Sequence, residues 1–306
     1  MNRVVTSEVL NQLKCKFKGN VVGNEPLSKH TTLRVGGAAT IFAIADSLEE
    51  LRLLLQTSTD FELPYFIIGK GSNLLVSDRG FPGIVVVLGK DFKGISVDGS
   101  HIRAGAGVSL QVLVQKALEN GLKGLAFAIG IPGSLGGALA LNAGAHGHAI
   151  GDVVKSVTVY TSDCELKALG GLELSFGYRS SSLPSQGVIV EAVLRLEKGD
   201  TNLIRAEMER YFRKRKRTQP LKLPNVGSIF KNPPGLSAGK LIEEAGCKGL
   251  RMGDAQVSLK HANFIVNLGN ASAHDVYSLM RRVQEEVFRV KGILLETEVT
   301  LVGDFE

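Results

Sequence analysis

A glycine-rich segment inside an apolar stretch constrains this chain more than any other feature of its sequence. Residues 130–137 read GIPGSLGG, with four glycines in eight positions, and residues 142–145 follow as NAGA. Glycine inside a regular element costs about 0.5–1 kcal/mol relative to alanine, so packing alone explains such a cluster poorly. The segment therefore predicts backbone that lies directly against a ligand.

Two other glycine-containing segments are weaker signals. Gly69-Lys70-Gly71-Ser72-Asn73 follows a short apolar run at Tyr65–Ile68, and exposed amides in such a turn suit a phosphate group. It is not the Rossmann fingerprint, because Leu74 occupies the position of the third glycine and no helical pattern follows at once. A plain turn is the alternative here, and Arg34–Ala39 (RVGGAA) says little on its own.

Composition and charge narrow the classes of function. The chain has 36 Lys and Arg against 30 Asp and Glu, and a net charge of +6 favours an anionic ligand or nucleic acid. Its cysteines, Cys15, Cys164 and Cys247, are dispersed, which predicts reduced thiols rather than disulfides or a metal site. No metal-protease motif or P-loop occurs. The lack of an apolar run of about 20 residues and of a cleavable leader predicts a cytoplasmic protein.

Periodicity predicts helices and strands in mixed order, which defines an α+β chain. Helices are predicted at Asp46–Thr57, Ser109–Glu119, Asn202–Arg217, Ser237–Ala245 and from Ser272 to Gly292. Strands are predicted at Tyr65–Ile68, Ile84–Leu88, His101–Val108, Ser156–Thr161, Gly187–Glu197, Gln256–Leu259, Phe264–Leu268 and Ile293–Val302. A change of composition near Gly199-Asp200 predicts a domain boundary there.

Four polar segments are candidates for chemistry, although each also has an ordinary structural explanation. Phe176–Ser181 carries Arg179, residues 227–233 (GSIFKNP) bring Ser, Lys and Asn together, and residues 295–299 (LETEV) place two carboxylates on one face of a strand. The ordinary explanations are a surface ion pair, a turn serine and solvated glutamates. The run Arg210–Arg217 has six cations in eight residues, typical of a solvated helix end.

Read in order, these segments resemble the UDP-N-acetylenolpyruvoylglucosamine reductase family along almost the whole chain. The matching stretches are Asn24–Ala39, Ile68–Gly83, Ala104–Gly107, Gly121–Ala145, Phe176–Ser181, Gln219–Pro233, Ala238–Gly249, Lys260–Asn267 and Leu295–Gly303. Each stretch is weakly specific, but nine in the correct order are highly specific.

The resemblance implies a two-lobed FAD-binding region of the vanillyl-alcohol-oxidase (PCMH) type, followed by an α+β substrate-binding domain. With the boundary near residue 199, we expect lobe 1 at residues 1–95, lobe 2 at 96–199 and the substrate-binding domain at 200–306. Non-covalent FAD is expected between the glycine loops. The implied cofactor-binding residues are Arg34, Gly69, Gly71, Ser72, Asn73, Gly130, Ile131, Pro132, Gly133, Ser134, Gly136, Gly137 and Asn142.

By resemblance, the activity is NADPH-dependent reduction of enolpyruvyl-UDP-N-acetylglucosamine to UDP-N-acetylmuramate, in the synthesis of peptidoglycan precursors. Ser228 is implied as the proton donor, with Arg179 and Glu298 completing the catalytic set. Tyr178, Arg217, Lys231 and Asn232 are implied substrate-binding residues, and no metal is implied.

One branch of the family carries a tyrosine-bearing insertion that folds over the substrate. Here only about twenty residues separate Leu196 from Gln219, so the chain resembles the shorter branch, and Arg213–Arg217 are expected to bind the UDP diphosphate instead. We expect a monomer that binds no nucleic acid or membrane. The alternatives are an FAD oxidase of the vanillyl-alcohol-oxidase-like group acting on a small hydroxy substrate, and a non-enzymatic nucleic-acid binder.

Overall fold

The computed structural model describes residues 3–17 and 20–305, with side chains from Glu8 onward. Seven helices lie in this part of the chain: Arg3–Lys16 (α1), Leu48–Asp60 (α2), Leu110–Glu119 (α3), Leu135–Ala140 (α4), Thr201–Thr218 (α5), Ala238–Glu244 (α6) and Ala273–Lys291 (α7). The N-terminal segment, in which the sequence predicts no cleavable leader, lies partly outside the described residues.

Polar caps at their N-termini explain where several helices begin. The Ser47 hydroxyl accepts the Glu50 amide at the start of α2, and the Ser109 hydroxyl accepts the Val112 amide at the start of α3. Each cap satisfies an amide that has no partner within the helix. Ser237, where a helix start was predicted, caps α6 in the same way, since its hydroxyl accepts the Lys240 amide.

Three sheets form the framework of the molecule. The first has the strand order Val21–Pro26, Ala38–Ala45, Phe81–Leu88 and Tyr65–Ile68, in which only the first pair is antiparallel. The second is antiparallel, with the order Leu166–Gly170, Val154–Tyr160, Val188–Arg195, His101–Gly105 and Ile95–Asp98. The third joins Arg251–Met252, Ala255–Val257 and Ile265–Asn267.

Short two-stranded pairs complete the topology. They are Leu74–Val76 with Thr300–Val302, Leu122–Lys123 with Glu197–Lys198, Gly144–Ala145 with His148–Ala149, and Phe176–Gly177 with Ser180–Ser181. The pair formed by Leu74–Val76 and Thr300–Val302 is parallel and joins the first lobe to the far end of the chain.

Two main hydrophobic cores fill the molecule. The larger core runs beneath the first and second sheets, from Val9 to Met208. The second lies around α7 and the third sheet, and it also includes Leu33, Val35 and Leu75 from the first lobe. These three residues tie the C-terminal part of the chain to the first lobe through buried apolar surface. The expected division at residues 95 and 199 remains a proposal.

The prediction of one continuous strand over Ile293–Val302 is wrong. Only Thr300–Val302 forms a strand, and the preceding residues make a single bridge, between Phe230 and Thr297. The Glu298 amide donates to the Ile229 carbonyl and the Lys231 amide donates to the Glu296 carbonyl. The segment therefore pairs with a turn-rich loop that is too irregular for a ladder. The strand predicted over His101–Val108 is also shorter and ends at Gly105.

Within the described residues, no helix is long and apolar enough to cross a membrane. All three cysteines are unpaired: Cys15 is exposed, Cys164 is half-buried and Cys247 is buried.

Candidate active site

Two adjoining cavities lie between the lobes and the C-terminal part of the chain. The first has a volume of about 320 Å³ and the second of about 480 Å³. Both volumes fall in the range of small-molecule sites. Ser72, Asn73, Gly137 and Leu141 line both cavities, so the two spaces meet where the two main glycine loops come together.

The two glycine loops are in direct contact. A Cβ placed on Gly69 would lie 2.3 Å from the Ser134 hydroxyl, and one on Gly71 would lie 2.0 Å from the His30 carbonyl oxygen. Packing between segments therefore requires these two glycines. At Gly137, by contrast, a Cβ would meet only the Ser134 hydroxyl within 4 Å and would occupy space that both cavities share. This backbone leaves room for a bound group.

Most of the predicted cofactor-binding residues line the cavities, and four do not. Two of the predicted residues that line the first cavity are Ile131 and Pro132. The second cavity is lined by Gly69, Gly71, Ser72, Asn73, Ser134, Gly136 and Gly137. Neither cavity is lined by Arg34, Gly130, Gly133 or Asn142. Arg34 is exposed, and Gly130 packs against Phe212 and Arg215 of α5. Cofactor contact by these four residues stays a prediction.

The three predicted catalytic residues come together on the wall of the first cavity. Arg179 Nε lies 2.7 Å from Glu298 Oε1, and their side chains are 23% and 16% exposed. The N–H does not point along this line, so Arg179 Nε is a buried nitrogen without a hydrogen bond and the contact is electrostatic. Ser228 lies half-buried beside them.

Burial controls the charge on Glu298. Loss of water around the carboxyl raises its pKa above the usual value, and the positive charges of Arg179 and Lys231 only partly oppose that rise. A carboxyl in this position takes up a proton more readily than an exposed one. It can therefore hold or exchange a proton at the site.

Two of the predicted catalytic residues, Glu298 and Ser228, lie on irregular segments whose backbone is fixed by hydrogen bonds from elsewhere. The Glu298 carbonyl accepts from Asn73 Nδ2 at 2.9 Å, across 225 positions of sequence. Ser228 precedes Ile229 and Phe230, and the buried Asn263 fixes both, since its side chain pairs with the amide and carbonyl of Phe230. The site is thus held by buried amides.

None of the four predicted substrate-binding residues, Tyr178, Arg217, Lys231 and Asn232, lines either cavity. Tyr178 is exposed, its ring lies 5.5 Å from the Arg179 guanidinium, and its hydroxyl accepts the Asn232 amide at 3.4 Å. Lys231 forms an ion pair with Glu296. Arg217 is exposed and lines neither cavity.

Sequence reasoning missed a polar wall on the other side of the first cavity. Three residues that line this cavity each have a buried side-chain atom without a hydrogen bond. These atoms are Arg215 Nε, Gln219 Oε1 and His146 Nε2. Burial lowers the pKa of Arg215, and burial with nearby cations lowers the pKa of His146. These three atoms have no hydrogen-bond partner within the protein, which makes this the least satisfied polar part of the cavity lining.

A sequence signal for Arg215 did exist. The buried face of α5 contains Ile204 and Met208, and Tyr211 and Arg215 continue it at helical spacing. Tyr211 stacks on His146 with ring centroids 4.1 Å apart. Extending the apolar stripe into the basic run would have selected Arg215 rather than Arg217.

Comparison with known proteins identifies the same family that the sequence motifs resemble. Residues 39–170 match the FAD binding domain family, and residues 219–302 match the UDP-N-acetylenolpyruvoylglucosamine reductase C-terminal domain family. UDP-N-acetylenolpyruvoylglucosamine reductase 2 from Symbiobacterium thermophilum is 47% identical over 93% of this chain and 93% of its own. The enzyme from Heliobacterium modesticaldum is 44% identical over 96% and 95%.

A solved structure extends this likeness to the fold. The crystal structure of UDP-N-acetylenolpyruvylglucosamine reductase from Thermus caldophilus aligns with a TM-score of 0.82 and 42% identity, covering 94% of this chain and 99% of that one. Together the fold and the glycine-lined cavities define an FAD-containing oxidoreductase. The chain belongs to the UDP-N-acetylenolpyruvoylglucosamine reductase family. The predicted fold class and family resemblance are confirmed.

Proposed function

We propose that this chain uses NADPH and non-covalent FAD to reduce enolpyruvyl-UDP-N-acetylglucosamine to UDP-N-acetylmuramate. The observation that carries the proposal is the meeting of Arg179, Ser228 and Glu298 on one cavity wall, next to a second cavity between two glycine loops. Relatives at 42–47% identity that bear the reductase name support the choice of substrate.

The residues that would hold FAD are those of the second cavity. The glycines Gly69, Gly71, Gly136 and Gly137 present backbone without side chains to this cavity, and the open position at Gly137 fits a close ligand. When bound, FAD supplies the capacity to accept hydride from NADPH and to deliver it to the substrate. The protein supplies position, charge and exclusion of water.

Arg179 is placed to stabilise negative charge on the reacting enolpyruvyl group. Its guanidinium is a fixed planar cation, and a preorganised cation in a site with little water is often the largest catalytic contribution. Ser228 donates a proton to C2 of the enolpyruvyl ether after hydride reaches C3. A serine is a weak acid, so this step depends on the charge stabilisation that Arg179 provides.

Glu298 completes the proton path. Its pKa is raised by burial, so the carboxyl takes up a proton more readily than an exposed glutamate does. We propose that it orients Arg179 and exchanges a proton with the developing enol.

The polar wall formed by Arg215, Gln219 and His146 is proposed to receive the diphosphate-bearing half of the substrate. It takes the place assigned by sequence to Arg217, and it supports binding without the tyrosine-bearing insertion. We further propose that the chain works as a cytoplasmic monomer, with lobes at 1–95 and 96–199 and a substrate-binding domain at 200–306.

The two half-reactions test the proposal. Under anaerobic conditions the protein with bound flavin is first bleached with NADPH, and the enolpyruvyl substrate is then added while flavin absorbance is recorded. We expect wild-type protein to reoxidise. Ser228→Ala should keep bleaching by NADPH and lose reoxidation by about 10²–10⁴-fold, the usual contribution of a positioned proton donor.

Two results would contradict the proposal. If Ser228→Ala reoxidises at the wild-type rate, the serine is not the proton donor. If wild-type flavin is reoxidised by oxygen and a small hydroxy substrate bleaches it, while the enolpyruvyl ether has no effect, the chain is an oxidase.

A further inference from the structure

Arg179 lies at the tip of a β-hairpin that is too short to be stable on its own. The hairpin has only two residue pairs, Phe176 with Ser181 and Gly177 with Ser180, joined by Tyr178 and Arg179. An isolated two-stranded hairpin of this length has little stability in water. Arg179 also has φ +56°, a left-handed backbone that side chains other than glycine rarely adopt. Contacts outside the hairpin must therefore determine where the guanidinium lies.

Besides the bond between Tyr178 and Asn232 at the tip, two side-chain hydrogen bonds join the hairpin to its surroundings, one on each strand. Asn142 Nδ2 donates to the Gly177 carbonyl at 2.8 Å. The Ser181 hydroxyl donates to the Ala140 carbonyl at 2.9 Å. Ala140 is the final residue of α4 and Asn142 follows two positions later, so both bonds fix the hairpin to the same helix end.

Asn142 uses its whole side chain for this purpose. It is buried, and while Nδ2 holds the hairpin, Oδ1 accepts the Gly151 amide at 3.0 Å. A Cβ on Gly151 would lie 2.7 Å from the Phe176 ring, so the turn at Ile150–Val153 packs directly under the hairpin. Asn142 lines neither cavity, in contrast to the cofactor contact expected from the sequence.

We propose that Asn142 and Ser181 are positioning residues, which hold the hairpin so that Arg179 faces Glu298 across the first cavity. This inference rests on the proposed function, in which Arg179 stabilises charge on the substrate. It assigns to α4 a second task, because Ser134, Gly136 and Gly137 at the start of this helix line the second cavity. The start of α4 thus faces the proposed cofactor site, and its end holds the hairpin that carries Arg179.

The experiment compares matched variants in the two half-reactions. Ser181→Ala removes the hydroxyl, Ser181→Thr keeps it, and Asn142→Gly removes both amide bonds at a backbone position, φ +44°, that glycine adopts freely. Ser185→Ala is the control, because its hydroxyl also donates to a carbonyl, that of Ser182, on an exposed neighbouring turn.

Ser181→Ala and Asn142→Gly should keep flavin content and slow reoxidation by the enolpyruvyl substrate by about 10–100-fold, since small misplacements of a catalytic group have effects of this size. Ser181→Thr and Ser185→Ala should stay near the wild-type rate. In the slow variants, the pH dependence of reoxidation should shift to higher pH, because Arg179 no longer holds down the pKa of Glu298.

Each outcome decides between distinct explanations. Wild-type reoxidation rates in both Ser181→Ala and Asn142→Gly would overturn the positioning role. Loss of flavin from Asn142→Gly, with normal turnover of the remaining bound fraction, would make Asn142 a cofactor ligand and also overturn it. An equally slow Ser181→Thr, or an unshifted pH profile, would show a general packing effect instead. If wild-type protein fails to reoxidise, the proposed function fails first.

Discussion

Several residues around the cavities are held in backbone conformations that cost free energy. Within the described part of the chain, Asn142, His146 and Arg179 are non-glycine residues with positive φ that lie at or directly behind the first cavity. Each such conformation costs of the order of 1–3 kcal/mol and persists only where surrounding contacts impose it. Three of the seven such residues in the described part of the chain therefore lie around the first cavity, and the other four lie elsewhere.

The clearest test at the residue scale compares two arginines of α5. Arg215 lies in the wall of the first cavity, whereas Arg217 is exposed. We expect Arg215→Ala to raise KM for the UDP substrate by about tenfold or more, because a hydrogen bond to a charged group contributes roughly 1.5–3 kcal/mol. Arg217→Ala serves as the control and should change KM little. Steady-state kinetics check both, and a larger effect at Arg217 would contradict the placement.

At the same scale, the sequence selected candidate residues, but it could not show in which direction their side chains point. Arg179, Ser228 and Glu298 were found through motif resemblance, and the structure brings them together. The sequence assigned the whole run Arg213–Arg217 to the diphosphate and named Arg217 as a contact, because a run of six cations gives no indication of which one turns inward. The cofactor contact of Asn142 stays a prediction, since the sequence does not reveal which backbone groups its amide contacts.

At the scale of elements, helix α7 is held at its start by two sources of negative charge. Ser272 and Asp275 form a capping box within the helix. Asp78, from the first lobe, accepts the amides of Ala273 and His274. An acidic group at a helix N-terminus is stabilising because of the helix dipole. This carboxylate also ties the C-terminal part of the chain to the first lobe.

Removal of the Asp78 carboxylate should weaken the contact between helix α7 and the first lobe. We expect Asp78→Ala to lower the free energy of unfolding by about 1–2 kcal/mol, the usual cost of a lost helix cap. Urea denaturation followed by circular dichroism measures the change, with Asp163→Ala in an exposed turn as the control. Equal midpoints for the two variants would show that the Asp78 contact contributes no net stability.

Elements with regular periodicity were predicted well, and elements that depend on a partner were not. The helices α2, α3 and α7 begin within two residues of their predicted starts because their serine caps are local. The segment before Thr300 looked like a strand because its residues suit one. Its real partner is the loop around Ile229, whose turns interrupt the ladder, and no local pattern shows this.

At the scale of the whole molecule, the cavities lie where separate cores meet. The first lobe contributes residues to both main cores, and the glycine loops lie between them. A ligand that fills this space should bind the folded state only, and it would stabilise the folded state by about 3–4 kcal/mol at 100–1,000 times its Kd.

Removal of FAD should therefore lower the thermal stability of the protein. We expect the flavin-free protein to melt at a lower temperature than the flavin-loaded protein, with the melting temperature rising as FAD is added back. Differential scanning calorimetry measures this, and AMP at the same concentration is the control ligand. Identical melting temperatures with and without FAD would mean that the second cavity is not where a dinucleotide binds.

The parallel pairing of Leu74–Val76 with Thr300–Val302 has a consequence for the order of events in the cell. The strand at Leu74 leaves the loop whose Asn73 side chain reaches the Glu298 carbonyl, and both contacts span more than two hundred positions of sequence. A ribosome that has released the first two hundred residues has exposed the glycine loops but not the strand that completes them. Binding of FAD is accordingly expected only after translation has passed residue 300, late in the folding of each new molecule.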